Sequence, residues 1–165
     1  MKINLHEDYI RSAFFGLQDG LVSTTGVVVG ISAGVSDKSI VLLASIVAVT
    51  VEATSMAAGQ YSSEKAVHQM DRTGRHNDNL IVGALIMFVS YLGAGMIPVI
   101  PVILVGPPQS AIISVILAFI GLFTVGYVKG LIIKEKPLRN AFELFIIGGI
   151  ATTIGLVVGY FLKIH

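Results

Sequence analysis

The 165-residue sequence contains no cysteine, and charged residues make up only 13 % of it. Without cysteine there is no disulfide framework, no thiolate metal site and no cysteine nucleophile. Soluble domains carry about a quarter charged residues, so this low share, together with a hydrophobic share of 54 %, indicates a membrane protein. The net charge of +1 gives no indication of a nucleic-acid partner.

Histidine is missing from the long apolar segments of the chain. The four histidines are His6, His68, His76 and His165. No imidazole base is therefore expected within the membrane, and neither a Ser-His-Asp triad nor a hydrolytic zinc site can be assembled there. We expect a protein that is not an enzyme and that holds no permanently bound cofactor.

Five apolar segments are long enough to cross a bilayer, which requires about 20 residues each. They predict an all-α, polytopic membrane protein with a single domain over residues 1–165. Gly106-Pro107-Pro108 separates the third span from the fourth, and Lys136-Pro137 separates the fourth from the fifth. Residues 65–79 are predicted to form a short cytoplasmic loop. The predicted spans are 10–35, 39–63, 80–104, 109–133 and 139–162.

The basic residues predict an orientation for these spans. With a cytoplasmic N-terminus and an external C-terminus, nine of the eleven Lys and Arg residues fall on the cytoplasmic side, a strong positive-inside bias. A compact chain of this kind is typical of a prokaryotic plasma or inner membrane, and we predict that location. The nine are Lys2, Arg11, Lys65, Arg72, Arg75, Lys129, Lys134, Lys136 and Arg139; Lys38 and Lys163 fall outside.

Two acidic residues, Asp19 and Glu52, fall in the middle of the first and second spans. By helical rise they lie about 13 Å and about 16 Å from the predicted cytoplasmic ends, in a hydrocarbon core about 30 Å thick. A charge at that depth costs at least about 2.5 kcal/mol. Each carboxyl is therefore expected to hold a proton, bind a cation or face water. The alternative is a neutral, hydrogen-bonded packing role.

The second span carries Glu52, Met56, Gln60 and Glu64 at four-residue steps, which places them along one helix face. This mixture of oxygen and sulfur ligands suits ferrous iron or manganese better than magnesium or calcium. We predict a metal path along this face, with Asp19 and Glu52 also coupling to protons. Alternatively, Met56 fills space in the core, and Gln60 and Glu64 are solvated.

Two further groups of residues have candidate roles. If the second helix continues, His68 and Asp71 fall on the Glu64 face and form a metal-capture patch at the inner mouth; the alternative is a solvated turn. Gly26, Gly30 and Gly34 follow one another at four-residue steps, the spacing that allows close approach of helices in lipid. They predict either a homodimer contact or packing between helices of one subunit.

Three segments resemble motifs of the vacuolar iron transporter family. They are residues 11–23, RSAFFGLQDGLVS, residues 55–63, SMAAGQYSS, and residues 90–101, SYLGAGMIPVIP. The resemblance implies a homodimer in the lipid bilayer, with a metal path between subunits that is lined by spans one and two. It also implies export of ferrous iron, and often manganese, from the cytosol in exchange for protons, with Asp19, Glu52 and Met56 at positions used along the path.

The sequence departs from the family in two places. Gln60 occupies a position where the family normally has glutamate, which removes a negative charge near the inner mouth. A glutamate-rich helical domain that many members insert between spans two and three is replaced by about fifteen residues, so this chain resembles a short form. A passive divalent-cation channel and a membrane scaffold subunit that does not transport ions are the competing functional interpretations.

Overall fold

The computed structural model describes residues 7–71 and 79–162, and within these ranges the regular structure consists of five α-helices. Each helix is long and apolar enough to cross a membrane. The described part of the chain thus confirms the predicted all-α architecture with five candidate spans. The helices are α1 (Glu7–Gly34), α2 (Lys38–Met70), α3 (Leu80–Leu104), α4 (Gln109–Ile132) and α5 (Pro137–Phe161).

Helix α2 is longer than the sequence predicts. It continues to Met70, so the prediction that residues 65–70 belong to a loop is wrong. The segment from Glu64 to Met70 contains neither glycine nor proline and consists mainly of good helix formers, and hydropathy alone gives no indication that the helix continues past the apolar region. The rest of the predicted loop, residues 72–78, lies outside the described residues, as do Lys2 and Lys163.

Polar side chains cap the N-terminal ends of α2 and α3. The Asp37 carboxylate accepts hydrogen bonds from the backbone N–H groups of Ser39 at 2.7 Å and Ile40 at 3.3 Å, which caps α2. Asn79 caps α3 in the same way. At the end of the bundle that contains the α1–α2 turn, Lys38 donates from Nζ to the backbone oxygen of Ile103 at 2.8 Å, a carbonyl in the last turn of α3. These contacts set the turn between α1 and α2 against the end of α3.

Helix α1 lies at the centre of the bundle and contacts each of the other four helices. Leu21 packs with one buried residue from each of α3, α4 and α5, namely Ala94, Leu122 and Leu144. Helix α2 packs against α3 and α1, and within the described ranges it makes no contact with α4 or α5. The bundle is therefore built around α1, with α2 at its edge.

Glycines of α1 allow its backbone to approach two neighbouring helices closely. A Cβ atom added at Gly16 would lie 2.9 Å from the backbone oxygen of Met87 on α3. Further along α1, a Cβ atom at Gly30 would lie 2.8 Å from the backbone oxygen of Gly155 on α5. A Cβ atom added at Gly159 of α5 would lie even closer to the backbone oxygen of Gly30. Such contacts are the means by which helices associate tightly in lipid, where no hydrophobic force drives them together.

The packing of α1 against α5 accounts for two of the three glycines predicted to form a close helix–helix contact. Gly26 faces α5, with the backbone oxygen of Ala151 3.6 Å from an added Cβ, and Gly30 follows one turn later. Both are therefore packed within one chain, which is the second of the two alternatives that the spacing left open. Gly34 is the last residue of α1.

We predict that Gly30→Ala lowers the free energy of unfolding by about 1–3 kcal/mol, the usual cost of overpacking. The added methyl group would press against the Gly155 backbone, which has no flexible side chain that can move aside. Thermal unfolding of the detergent-solubilised protein measures this effect. The matched control is Gly93→Ala, where a Cβ atom meets nothing within 4 Å. Equal stability of the two variants would contradict the close contact.

Candidate ion site within the membrane

Asp19 on α1 and Glu52 on α2 lie close enough to interact electrostatically. Both side chains are half-buried within the chain. Neither carboxyl pairs with a lysine or arginine of the described residues, whereas Arg11 pairs with Asp8 and Glu64. The structure thus brings together the two acids that helical rise places at one depth, and it provides no fixed cation for them.

Tyr91 on α3 connects the two acidic positions. Its side chain is only 1 % exposed. The phenol O–H donates to Oε2 of Glu52, and the phenol oxygen also lies within hydrogen-bond distance of the Ser23 hydroxyl. Ser23 in turn donates to the backbone oxygen of Asp19 at 2.7 Å. One buried phenol therefore connects the Glu52 carboxyl, through Ser23, to the backbone of Asp19.

Tyr91 was not among the residues predicted to form the site. The sequence does contain one indication that Tyr91 belongs to the site, namely its residue type. A buried phenol needs a hydrogen-bond partner, and Tyr91 interrupts an otherwise strongly apolar helix within the third family-like motif. Asp19 and Glu52, the acids in the middle of the first two spans, are the acceptors that such a phenol could bind.

Met56 lies one helical turn beyond Glu52 and packs against the cluster formed by Val49, Ala53 and Tyr91. Its side chain therefore packs against a cluster that includes Tyr91, the residue whose O–H binds Glu52. A methionine in such a place can fill space or offer a soft ligand. The helical continuity of α2 confirms that Glu52 and Met56 share one face.

Gln60 and Glu64 form a second polar cluster, nearer the end of the bundle where α1 begins. Glu64 is buried and forms an ion pair with Arg11 of α1. The amide nitrogen of Gln60 donates to Ser12 Oγ at 2.9 Å and to Glu64 Oε1 at 3.3 Å. The predicted row along α2 is thus divided into Glu52 and Met56 within the membrane and a hydrogen-bonded Gln60–Glu64 pair at its end.

The contacts of Glu64 differ from those expected of a metal ligand on α2. Its carboxylate is engaged by Arg11, and Arg11 also approaches Asp8 at 3.4 Å. Glu64 was predicted to be either a metal ligand or a solvated side chain, and neither prediction includes an arginine partner. A metal role for Glu64 stays a prediction and would require the arginine to give way.

His68 and Asp71 lie at the end of α2. The backbone N–H of Asp71 donates to the Val67 oxygen at 2.9 Å and closes the last turn of the helix. Both His68 and Asp71 take part in interactions with other groups. In the described ranges, no cluster of three or more His, Asp or Glu side chains is close enough to hold a metal ion. The capture patch stays a prediction.

Five apolar helices around two interacting carboxyls define a polytopic α-helical membrane protein with a polar site between its spans. The model of the VIT family matches residues 10–78 and 66–160 of the sequence, which together make up most of the chain. The chain belongs to the VIT family. The two matched segments meet at the connection between α2 and α3, where the sequence is predicted to lack a domain.

Individual relatives agree with this membership. Vacuolar iron transporter 1 of Arabidopsis thaliana is 39 % identical over 70 residues, which is 42 % of this chain and 28 % of the relative. The vacuolar iron transporter of Centaurea cyanus is 34 % identical over the same length, 42 % of this chain and 29 % of the relative. Vacuolar iron transporter homolog 2 of Arabidopsis thaliana is 23 % identical and matches 90 % of this chain and 82 % of its own length.

The names of the relatives contradict the membrane location predicted from the sequence. Their names place them in the vacuole, which contradicts the plasma- or inner-membrane location predicted from the sequence. Compactness and charge bias carry no information on which membrane a protein enters, and that prediction is wrong. The orientation predicted with it has no support from the relatives, and four of the basic residues on which it rests, Lys2, Arg72, Arg75 and Lys163, lie outside the described residues.

We predict that Arg11→Gln destabilises the protein by about 1.5–3 kcal/mol, the usual worth of a hydrogen bond to a charged group. The substitution leaves the buried Glu64 carboxylate without its cation. The double variant Arg11→Gln/Glu64→Gln should recover part of the loss, because a neutral amide replaces the unpaired charge. Thermal unfolding of both single variants and the double variant measures the coupling. Strictly additive losses would show that the pair is not coupled.

Proposed function

We propose that this protein carries a divalent transition metal, ferrous iron or manganese, out of the cytosol in exchange for protons. The observation that carries the proposal is the approach of Asp19 and Glu52 on adjacent helices, with no lysine or arginine of the described chain paired to either. Intramembrane acids mark ion and proton pathways by default. The relatives named as vacuolar iron transporters support metal as the cargo.

The chemistry of the site favours a borderline first-row ion. Asp19 and Glu52 supply carboxylate oxygens, and Met56 supplies a thioether one turn away. Magnesium and calcium select oxygen ligands alone, whereas ferrous iron and manganese accept the mixture. Tyr91 would hold the Glu52 carboxylate in a fixed direction through its hydrogen bond, so that the acid is oriented before the ion arrives.

Proton exchange follows from the cost of a bare anion within the membrane. Each carboxyl in this setting holds either a proton or a cation, because an uncompensated charge is expensive there. A metal ion that binds to Asp19 and Glu52 must therefore displace their protons. When the site opens to the side of higher proton concentration, protonation releases the metal. Competition for one pair of carboxyls is sufficient to couple the two movements.

The Arg11–Glu64 ion pair lies on the α2 face between this site and the nearer end of the bundle. A metal ion that approaches from that end would compete with Arg11 for the Glu64 carboxylate. We infer that the pair breaks during entry or release from that side. Gln60, which replaces the family's usual glutamate, would then contribute an amide oxygen rather than a second charge.

We further propose that the protein is a homodimer that uses the free face of α2. The side chains of Thr50, Thr54, Ser55, Ala58 and Ser62 are exposed on this helix, and a Cβ atom at Gly59 would meet nothing within 4 Å. The hydroxyl groups of Thr50 and Thr54 bond back to the helix at 2.8 Å, which lowers their cost in an apolar setting. Small residues of this kind favour helix–helix contact in membranes.

The number of carboxyl groups that one chain offers to a metal ion also favours a homodimer. One described chain offers two carboxyls at the Asp19–Glu52 level and no cluster of three or more such groups. A second copy related by twofold symmetry would add the same set, which would give four carboxyls and two thioethers around one path. The dimer contact would then involve α2, whereas Gly26 and Gly30 of α1 already pack against α5.

We predict that Asp19→Asn and Glu52→Gln each abolish metal-driven proton movement in proteoliposomes. An amide keeps the shape of the side chain but can neither exchange a proton nor supply a charged ligand. Uptake of ferrous iron and manganese, together with an internal pH dye, measures both fluxes. Reversal of the pH gradient should reverse the direction of net metal movement.

The matched control is Glu143→Gln, which makes the same chemical change at an exposed position on α5 and should leave transport intact. Metal uptake that persists without a pH gradient and moves no protons would identify a passive channel. Absence of metal flux in the folded wild-type protein would favour a scaffold subunit. Undiminished uptake by Asp19→Asn would contradict the role of that carboxyl.

The dimer is testable by cross-linking, because the chain has no native cysteine. We predict that Thr54→Cys or Ala58→Cys forms an oxidative cross-link between two subunits, since a disulfide requires Cα atoms within about 7 Å. Gel electrophoresis of membranes treated with a mild oxidant detects the product. Ile120→Cys, on the exposed surface of α4, is the control. Cross-links from α4 but not from α2 would refute the assigned interface.

A further inference from the structure

A groove of about 590 Å³ runs between the beginning of α1 and the end of α4, and neither Asp19 nor Glu52 lines it. Its size is within the range of small-molecule sites. Two cationic side chains and one carboxyl, that of Glu7, stand among otherwise mostly apolar walls. The cations and the principal apolar side chains are Arg11, Lys129, Ile10, Phe14, Phe15 and Ile132.

Lys129 is the unusual member of this set. It is half-buried in the last turn of α4, and among the described residues it forms no ion pair. The negative end of the helix dipole stabilises its charge there only in part. Arg11 has two carboxylate partners, yet 59 % of its side chain remains exposed. The groove therefore holds cationic groups that an anion can still approach.

The position of Lys129 specifies what kind of anion fits. The apolar part of α4 ends three residues later, and the exposed turn that follows carries Lys134 and Lys136 beside a single acid, Glu135. This is the level at which a membrane helix meets lipid headgroups. Below the cations, Phe14 and Phe15 of α1 provide apolar contact, and Phe15 is 48 % exposed. A ligand with one anionic end and one hydrocarbon end matches both parts.

We propose that this groove binds an anionic phospholipid, with the phosphate between Arg11 and Lys129 and an acyl chain along Phe14 and Phe15. Basic pockets between membrane helices recognise anionic headgroups by charge, and apolar walls add chain contact. The bound lipid would neutralise Lys129 and tie the beginning of α1 to the end of α4. This assignment does not depend on the transport function and stands or falls separately from it.

The test is native mass spectrometry of the delipidated, detergent-solubilised protein with added phosphatidylglycerol or phosphatidylcholine of identical chains. We expect tighter binding of phosphatidylglycerol, weakened about fivefold by Lys129→Gln. Lys129→Arg should retain binding, which separates loss of charge from loss of fold. The matched control is Lys65→Gln, an exposed lysine on α2 outside the groove, and it should bind like the wild type. Arg11 is left unchanged because it pairs with Glu64.

Each other outcome overturns the proposal. Equal binding by the wild type and Lys129→Gln would remove the lysine from the site. Displacement of the lipid by glycerol 3-phosphate or inorganic phosphate at millimolar concentration would show that the groove recognises a free anion and that its apolar walls contribute nothing. A shift in the monomer–dimer equilibrium caused by Lys129→Gln, without lipid binding, would show that a second copy of the chain occupies the groove.

Discussion

The structure depends on one constraint: two half-buried carboxyl groups lie within long apolar helices, and no lysine or arginine of the described chain pairs with them. Asp19 of α1 and Glu52 of α2 are half-buried and lie close enough to interact electrostatically, and the Tyr91 phenol donates a hydrogen bond to Glu52. The close packing of α1 against α3 at Gly16 helps to bring the phenol within reach. Backbone approach, hydrogen bonding and charge are thus parts of one arrangement.

The separation of the two polar clusters explains why Gln60 and Glu64 differ from Glu52, although all share a helix face. Near the end of the bundle, an arginine on α1 faces the Glu64 carboxylate. Deeper in the bundle, the same two helices present Asp19 and Glu52 without an arginine. The Glu64 carboxylate is thus compensated by an arginine, whereas Asp19 and Glu52 have no lysine or arginine partner in the described chain. One face of α2 therefore carries two carboxyls in different electrostatic settings.

Much of this arrangement could be predicted from the sequence. Apolar length gave five spans, and helical rise placed Asp19 and Glu52 at one level, because both follow from local geometry. The partners Tyr91 and Arg11 were not predicted, since they depend on which helices are neighbours and how they are rotated. The glycine spacing of α1 indicated a close contact but not its partner, because Gly155 and Gly159 of α5 satisfy the same pattern that a second subunit would. The vacuolar names of the relatives report cellular sorting, which composition does not encode.

The place of α2 at the edge of the bundle has a consequence for how the molecule can change shape. The described part of α1 touches every other helix, so its displacement would disrupt packing throughout, whereas α2 rests on α3 and α1 alone. Tilting α2 away from its support would separate Glu52 from the Tyr91 phenol at one level and Glu64 from Arg11 at another. If α2 tilted as a rigid helix about a point near the Asp37 cap, the Glu64–Arg11 ion pair and the Glu52–Tyr91 hydrogen bond would break one after the other. The free energy of opening would then depend mainly on the contacts of α2, the helix at the edge of the bundle.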